Sequence, residues 1–93
     1  MSDKKDAGKP RWTLLPWEQL AEVVDVLEYG AVKYEVDGWQ EVENGAQRYT
    51  DAAMRHFVAY MTGQDTDPDS GKHHLAHAVC SLLFVMWHEE NNE

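Results

Sequence analysis

From Leu75 to Trp87 this chain is almost continuously apolar: Leu75, Val79, Cys80, Leu82, Leu83, Val85, Met86 and Trp87 leave little room for a wet face. A helix that is apolar nearly all round is a buried helix, and other elements must cover it. At about 3.6 residues per turn its single polar stripe carries His74, His77, Ser81 and His88, with Phe84 among them. Buried polar groups need partners, so the imidazoles are expected to face a polar cleft inside the fold. An acidic turn, Asp67-Pro68-Asp69-Ser70-Gly71, opens the segment, and Asp69 or Ser70 is a natural N-cap.

Two further segments carry helical periodicity. Pro16 suits a helix start, and from Trp17 to Tyr34 one face holds Leu20, Val23, Val24, Leu27, Ala31 and Tyr34. Gly30 weakens that helix and predicts a kink or break near Tyr29–Ala31. Residues 35–45, with Gly38, Asn44 and Gly45, read as a loop anchored by Trp39. Ala46 to Thr62 is the next helix, with Tyr49, Ala52, Ala53, His56 and Tyr60 on one side, and a third runs from about Lys72 to Glu90. No strand alternation or internal repeat is evident. The expected fold class is all-α: a small bundle of three long helices, residues 13–93, behind an extended N-terminal arm, residues 1–12.

Bulk properties narrow the function. Ninety-three residues make one small domain with a marginal core. Self-association into a dimer or larger oligomer is therefore expected. A net charge of −9 argues against a nucleic-acid binder that works by bulk electrostatics. The lone Cys80 excludes an internal disulfide and any multi-cysteine zinc site, and its position on the packed side of its helix makes it a small buried hydrophobe. No apolar signal core and no run of about 18 apolar residues is present, so a soluble cytoplasmic protein with no membrane contact is expected.

Several polar groups are candidates for chemistry. Glu18, Glu22 and Asp25 share a side of the first helix with Tyr29 and Lys33; this is either a solvated face or oxygen ligands for a divalent cation. Glu28 sits beside Val24 at the edge of the apolar face and is expected to point inward. His56 lies mid-face on the second helix, where a single histidine is more often a hydrogen-bonded core residue than a ligand. His74 and His77, three residues apart, form a stronger pair able to present two imidazoles to one ion. Packing the three apolar faces together would turn Glu28, His56, His74 and His77 toward one pocket. His73 and His88 read as surface or rim residues.

Lys9, Arg11, Lys33, Arg55 and Lys72 are the cations best placed to meet phosphates. Trp12, Trp17 or Trp39 could stack on a base, with core packing the more natural use for two of the three. Asp65 to Asp69 imitates the opening of a calcium loop but fails at the required glycine (Ser70) and the twelfth position (Ala76), which rejects an EF-hand. The chain contains no His-Asp dipeptide, which disfavours a metal phosphohydrolase of that type.

Taken together, Gly8-Lys9-Pro10-Arg11-Trp12, Leu14-Leu15-Pro16-Trp17, Leu27-Glu28-Tyr29-Gly30-Ala31-Val32-Lys33-Tyr34, Trp39, Arg55-His56, Asp67-Pro68-Asp69-Ser70-Gly71 and His74-Leu75-Ala76-His77-Ala78 resemble the N-terminal dATP/dGTP diphosphohydrolase domain found mainly in bacteriophages. The likeness spans about residues 8 to 90 and rests on the order of the blocks. It implies hydrolysis of purine deoxynucleotides to monophosphate and pyrophosphate, a step that feeds 2-aminoadenine synthesis for modified phage DNA, and a location in the host cytoplasm. It also implies kinship with all-α, MazG-like pyrophosphohydrolases, which are magnesium-dependent oligomers.

Under that resemblance, Glu28, His74 and His77 would be catalytic, and Glu22, Asp25, Glu28, His74 and His77 would hold a magnesium or manganese ion. A purine nucleotide would be bound by Lys9, Arg11, Trp12, Lys33, Tyr34, Trp39, Arg55 and His56. The MazG-like pattern places Glu-x-x-Glu and Glu-x-x-Asp pairs on facing helices, whereas the late helix here offers His74-x-x-His77. Histidine is a poorer magnesium ligand than carboxylate and favours manganese, zinc or no metal. The second reading is a non-catalytic oligomeric sponge that sequesters a nucleotide or a cyclic-nucleotide immune signal.

Overall fold

A computed structural model describes residues 5–91. Its order is a 3-10 turn (Trp12–Leu14), α1 (Trp17–Lys33), a second 3-10 turn (Gly38–Glu41), α2 (Gly45–Met61) and α3 (His74–Asn91). Apart from one isolated bridge, no strand occurs among the described residues, so the chain is a small all-α bundle. Among the described residues no helix is long and apolar enough to cross a membrane.

The helices begin and end close to the expected positions, with local differences that have physical reasons. α1 runs unbroken through Gly30, whose carbonyl accepts the Tyr34 N–H at 2.9 Å. The cost of one interior glycine, about 1 kcal/mol, does not outweigh the helix around it. α3 starts later than Asp69 or Ser70 would set it: the ring of His73 stands at the cap and its Nδ1 accepts the Leu75 N–H at 3.0 Å. The preceding loop is closed by an antiparallel bridge between Thr66 and His73. Asp67 N–H to Lys72 carbonyl (2.8 Å) and His74 N–H to Asp65 carbonyl (2.8 Å) complete it.

α2 and α3 form the main helical pair, and α1 packs against α3. Val23 and Val26 of α1 meet Ala76 and Cys80 of α3 in a small core, with Phe84 against it. The Cys80 thiol donates to the Val23 carbonyl at 3.4 Å. Burial raises that thiol to about 11, so it is an inert packing group, as expected from its position.

The loop between α1 and α2 is pinned by Trp39, which stacks on Phe84 (centroids 4.2 Å apart, planes at 12°) and meets the edge of Trp87 at 5.2 Å. Asp37 and Asn44 take the left-handed backbone conformation that their short polar side chains tolerate. His88, expected at the rim, is instead buried at 8% exposure, because its Nε2–H donates to the Trp39 carbonyl at 2.9 Å and its ring lies flat on Tyr49. A Cβ at Gly45 would run into the same ring.

The N-terminal stretch is exposed from Lys5 to Gln19. Its first turn, Asp6 to Lys9, is held by a backbone bond of 3.0 Å, and Met1 to Lys4 lie outside the described residues.

Candidate functional site

One polar cluster forms where α2, α3 and the loop between them meet. It is a relay of imidazoles and short polar side chains. His56 Nδ1 and His74 Nδ1 lie 2.8 Å apart, and His74 Nε2 lies 2.7 Å from Gln64 Oε1. The amide oxygen can only accept, so His74 Nε2 carries a proton and its Nδ1 presents a lone pair to His56 Nδ1–H. Across the cluster the rings of His56 and His77 stack at 4.4 Å with planes 9° apart. His77 Nε2 pairs with Ser70 Oγ at 2.7 Å and stands 3.8 Å from Asp67 Oδ2. Ser70 ties the loop together: its N–H donates to Asp67 Oδ2 at 3.0 Å and its Oγ accepts the Lys72 N–H at 3.1 Å.

The sequence explains why these groups converge. Spacing of three residues puts His74 and His77 on one side of the first turns of α3. His56 occupies the matching side of α2. The bridged loop then folds Asp67 and Ser70 back over the helix start instead of letting them trail into solvent.

The charge states follow from this packing. Burial lowers His56 to about 4, helped by the neighbouring His77 and His74 and opposed by Asp67. Burial also lowers His77, against the pull of the Asp67 carboxylate. For Asp67 itself burial works against ionisation, but the Ser70 N–H and hydroxyl and the nearby His77 hold its carboxyl below the ordinary value. At neutral pH the site therefore presents His56 and His77 as neutral imidazoles beside the Asp67 carboxylate.

The convergence of His56, His74 and His77 agrees with the spacing argument; that of Glu28 does not. Counting about 100° per residue, Glu28 lies roughly 140° from Val23 and 160° from Val26, the residues by which α1 is buried. α1 is turned about its axis relative to the face that its apolar residues predict, so Glu28, Glu22 and Asp25 are all exposed. They enter no hydrogen bond or ion pair among the described residues. Of the metal-capable groups there, His56, Asp67 and His74 come together, with one ligand atom from each within 4.8 Å of the others. The five-residue set Glu22, Asp25, Glu28, His74 and His77 does not close on one ion, and an oxygen-rich magnesium cage is not formed by these residues.

Arg55 is exposed next to His56, and Lys9, Arg11 and Lys33 are exposed elsewhere on the surface. Lys33 approaches the rings of Tyr29 and Tyr34 at 5.6 and 5.3 Å. Of Trp12, Trp17 and Trp39, only Trp39 packs; Trp12 and Trp17 are 70% and 56% exposed, so core use for two of these does not hold. Tyr29 meets the edge of His77 at 6.4 Å, which is how α1 reaches the cluster. Asp67, Ser70 and Gln64 escaped the spacing argument. Their signal was the turn itself, where an Asp three residues before a Ser can accept its N–H.

Comparison with known proteins places this arrangement in a family. The chain is 36% identical over 84 residues to a dATP/dGTP diphosphohydrolase of Salmonella phage PMBT28, a match that covers 90% of this chain and 28% of that protein. The chain thus corresponds to less than a third of the length of that relative. No solved structure matches it. The family described as "dATP/dGTP diphosphohydrolase, N-terminal" matches over residues 1–93, and the chain belongs to that family.

Proposed function

We propose that this domain acts on purine deoxynucleoside triphosphates, dATP or dGTP, converting them to the monophosphate and pyrophosphate. Water attacks the α-phosphorus, the bond from that phosphorus to the bridging oxygen breaks, and pyrophosphate leaves with the electron pair. The observation that carries the reading is family membership over the whole chain, joined to a partly buried cluster of imidazoles and a carboxylate beside an exposed arginine.

In this reading a lone pair of the His56–His74–His77 cluster accepts the proton of the attacking water, and Asp67 balances the charge that results. Arg55 is the nearest exposed cation for the phosphates, with Lys9, Arg11 and Lys33 as further contacts. Trp39 is committed to Phe84, so base stacking falls to the exposed Trp12 and Tyr34. Purified protein incubated with each of the deoxynucleotides and a divalent metal panel should release dAMP or dGMP with pyrophosphate. Tight binding with the nucleotide recovered intact would favour the sponge; neither binding nor turnover would remove both.

A second copy of the chain completes the fold in this proposal. Met54, Phe57, Val58 and Met61 form an exposed stripe on α2, and Val79, Leu82, Leu83 and Met86 form one on α3. Both follow the i, i+3, i+4, i+7 spacing of a helix-packing face. The chain exposes 7373 Å², against about 5,500 Å² for a compact monomer of this length. Its radius of gyration is 16.2 Å, where about 12 Å is expected. The exposed N-terminal stretch supplies part of both excesses, and the two apolar stripes supply area of the kind a homodimer interface hides.

A further inference from the structure

We propose that His56, His74 and Asp67 form the binding site of a first-row transition-metal ion of the zinc or cobalt type, and that magnesium is not its natural occupant. These three come from α2, α3 and the intervening loop, and one ligand atom from each lies within 4.8 Å of the others. Donors on a tetrahedral ion bound at about 2.0–2.2 Å stand about 3.3–3.6 Å apart, so small side-chain movements bring the three onto one ion.

The chemistry of the donors selects the ion. Two imidazoles and one carboxylate suit zinc and its neighbours, whereas magnesium demands six hard oxygens in a near-octahedral shell. Three protein ligands leave at least one coordination position open, the pattern of a reactive site as opposed to a closed structural one.

The surroundings are those of ligands already aimed. His74 donates its Nε2–H to Gln64 Oε1 at 2.7 Å, the outer bond that orients a ligating imidazole and leaves its Nδ1 facing inward. Asp67 is steadied by the Ser70 N–H at 3.0 Å, and Ser70 in turn pairs with His77. The two Nδ1 atoms stand 2.8 Å apart, a little closer than two ligands on a tetrahedral ion. Binding through both requires the shared proton to move to His56 Nε2, a change of tautomer with no change of charge. His77, stacked on His56, walls the site on one side.

The site is the one assigned above to nucleotide chemistry, and the inference deepens that reading. It is tested by metal occupancy with no nucleotide present, so the two can fail separately. Metal-stripped protein titrated with cobalt(II) should bind one ion per chain and develop the visible ligand-field bands of low-coordinate nitrogen and oxygen ligation. Zinc should displace the cobalt, and magnesium should bind at least tenfold more weakly. Asp67→Asn and His56→Gln should each weaken cobalt binding at least tenfold, with circular dichroism verifying the helices of each variant. Their loss of affinity in a folded chain supports the site. Should one variant unfold, the other decides. Unchanged cobalt affinity in a folded variant, magnesium as strong as zinc, or no binding to the parent protein would overturn it.

Discussion

His56 and His77 stack face to face across the α2–α3 seam, centroids 4.4 Å apart and planes within 9°, in a setting whose burial favours the neutral form of both rings. Burial opposes a charge on either ring, His74 adds to the opposition at both, His77 and Arg55 add to it at His56, and Asp67 works the other way.

His56 sits at about 4 in the fold against an ordinary 6.5, so between those values the unfolded chain holds more protons than the folded one. Stability therefore rises with pH from about 4 to about 6.5 and levels off above. Discounted for the solvent that still reaches the ring, the effect is about 1 kcal/mol, or about 4–8 °C in melting temperature. Thermal unfolding from pH 4.5 to 8 should show this rise, and His56→Asn should flatten it.

Glycine substitutions should split in sign. Gly45→Ala drives a methyl into the His88 ring, which the Trp39 carbonyl and Tyr49 hold in place, at a cost of about 1–3 kcal/mol. Gly30→Ala meets nothing within 4 Å and should stabilise the helix by about 0.5–1 kcal/mol. Denaturant midpoints of the two variants would separate them, and a shared direction would contradict the packing described here.

Leu82→Lys or Phe57→Lys places a charge on an exposed apolar stripe without touching the small core. If a second copy covers those stripes, either change should shift light scattering from dimer to monomer and lower the melting temperature. A parent chain that already scatters as a monomer at micromolar concentration would refute the pairing.

Cys80 should resist thiol reagents in the folded protein, since the residue is 2% exposed and its thiol is bonded to the Val23 carbonyl and raised to about 11. Labelling by iodoacetamide at pH 8 should require unfolding. Rapid labelling of the native chain would place the thiol elsewhere.

Arg55→Ala should raise the KM for a deoxynucleoside triphosphate roughly tenfold while changing kcat less, because the exposed guanidinium would contribute to holding phosphate and not to proton transfer. A fall in kcat at constant KM would assign it a different role.

Much of this architecture was readable from periodicity. Three stretches of helical spacing and two punctuated loops became α1, α2 and α3 within about two residues at each end, since long amphipathic runs decide their own secondary structure. The pairing of His56 with His74 and His77 was likewise legible, because imidazoles on apolar helix faces have few other places to go. The rotation of α1 was not. Val23 and Val26, rather than Val24 and Leu27, face α3, and the choice belongs to side-chain packing between helices that a linear pattern does not encode. His88 was misread for a related reason: a polar residue near a helix end looks solvated until a distant carbonyl, here that of Trp39, supplies its partner. Asp67 went unrecognised because a loop's folded path follows from its closure and not from its composition.

That closure has a consequence for which sequence changes the protein can absorb. With Thr66 clasped to His73 and Asp67 N–H returned to Lys72, the intervening residues work as a ruler of set length. Adding or removing one residue would slide the Asp67 carboxylate by about 3.3 Å along the chain, farther than a first-coordination bond can stretch. Insertions should therefore be tolerated in exposed stretches far better than between residues 66 and 73, whose variants should trade side chains at constant spacing.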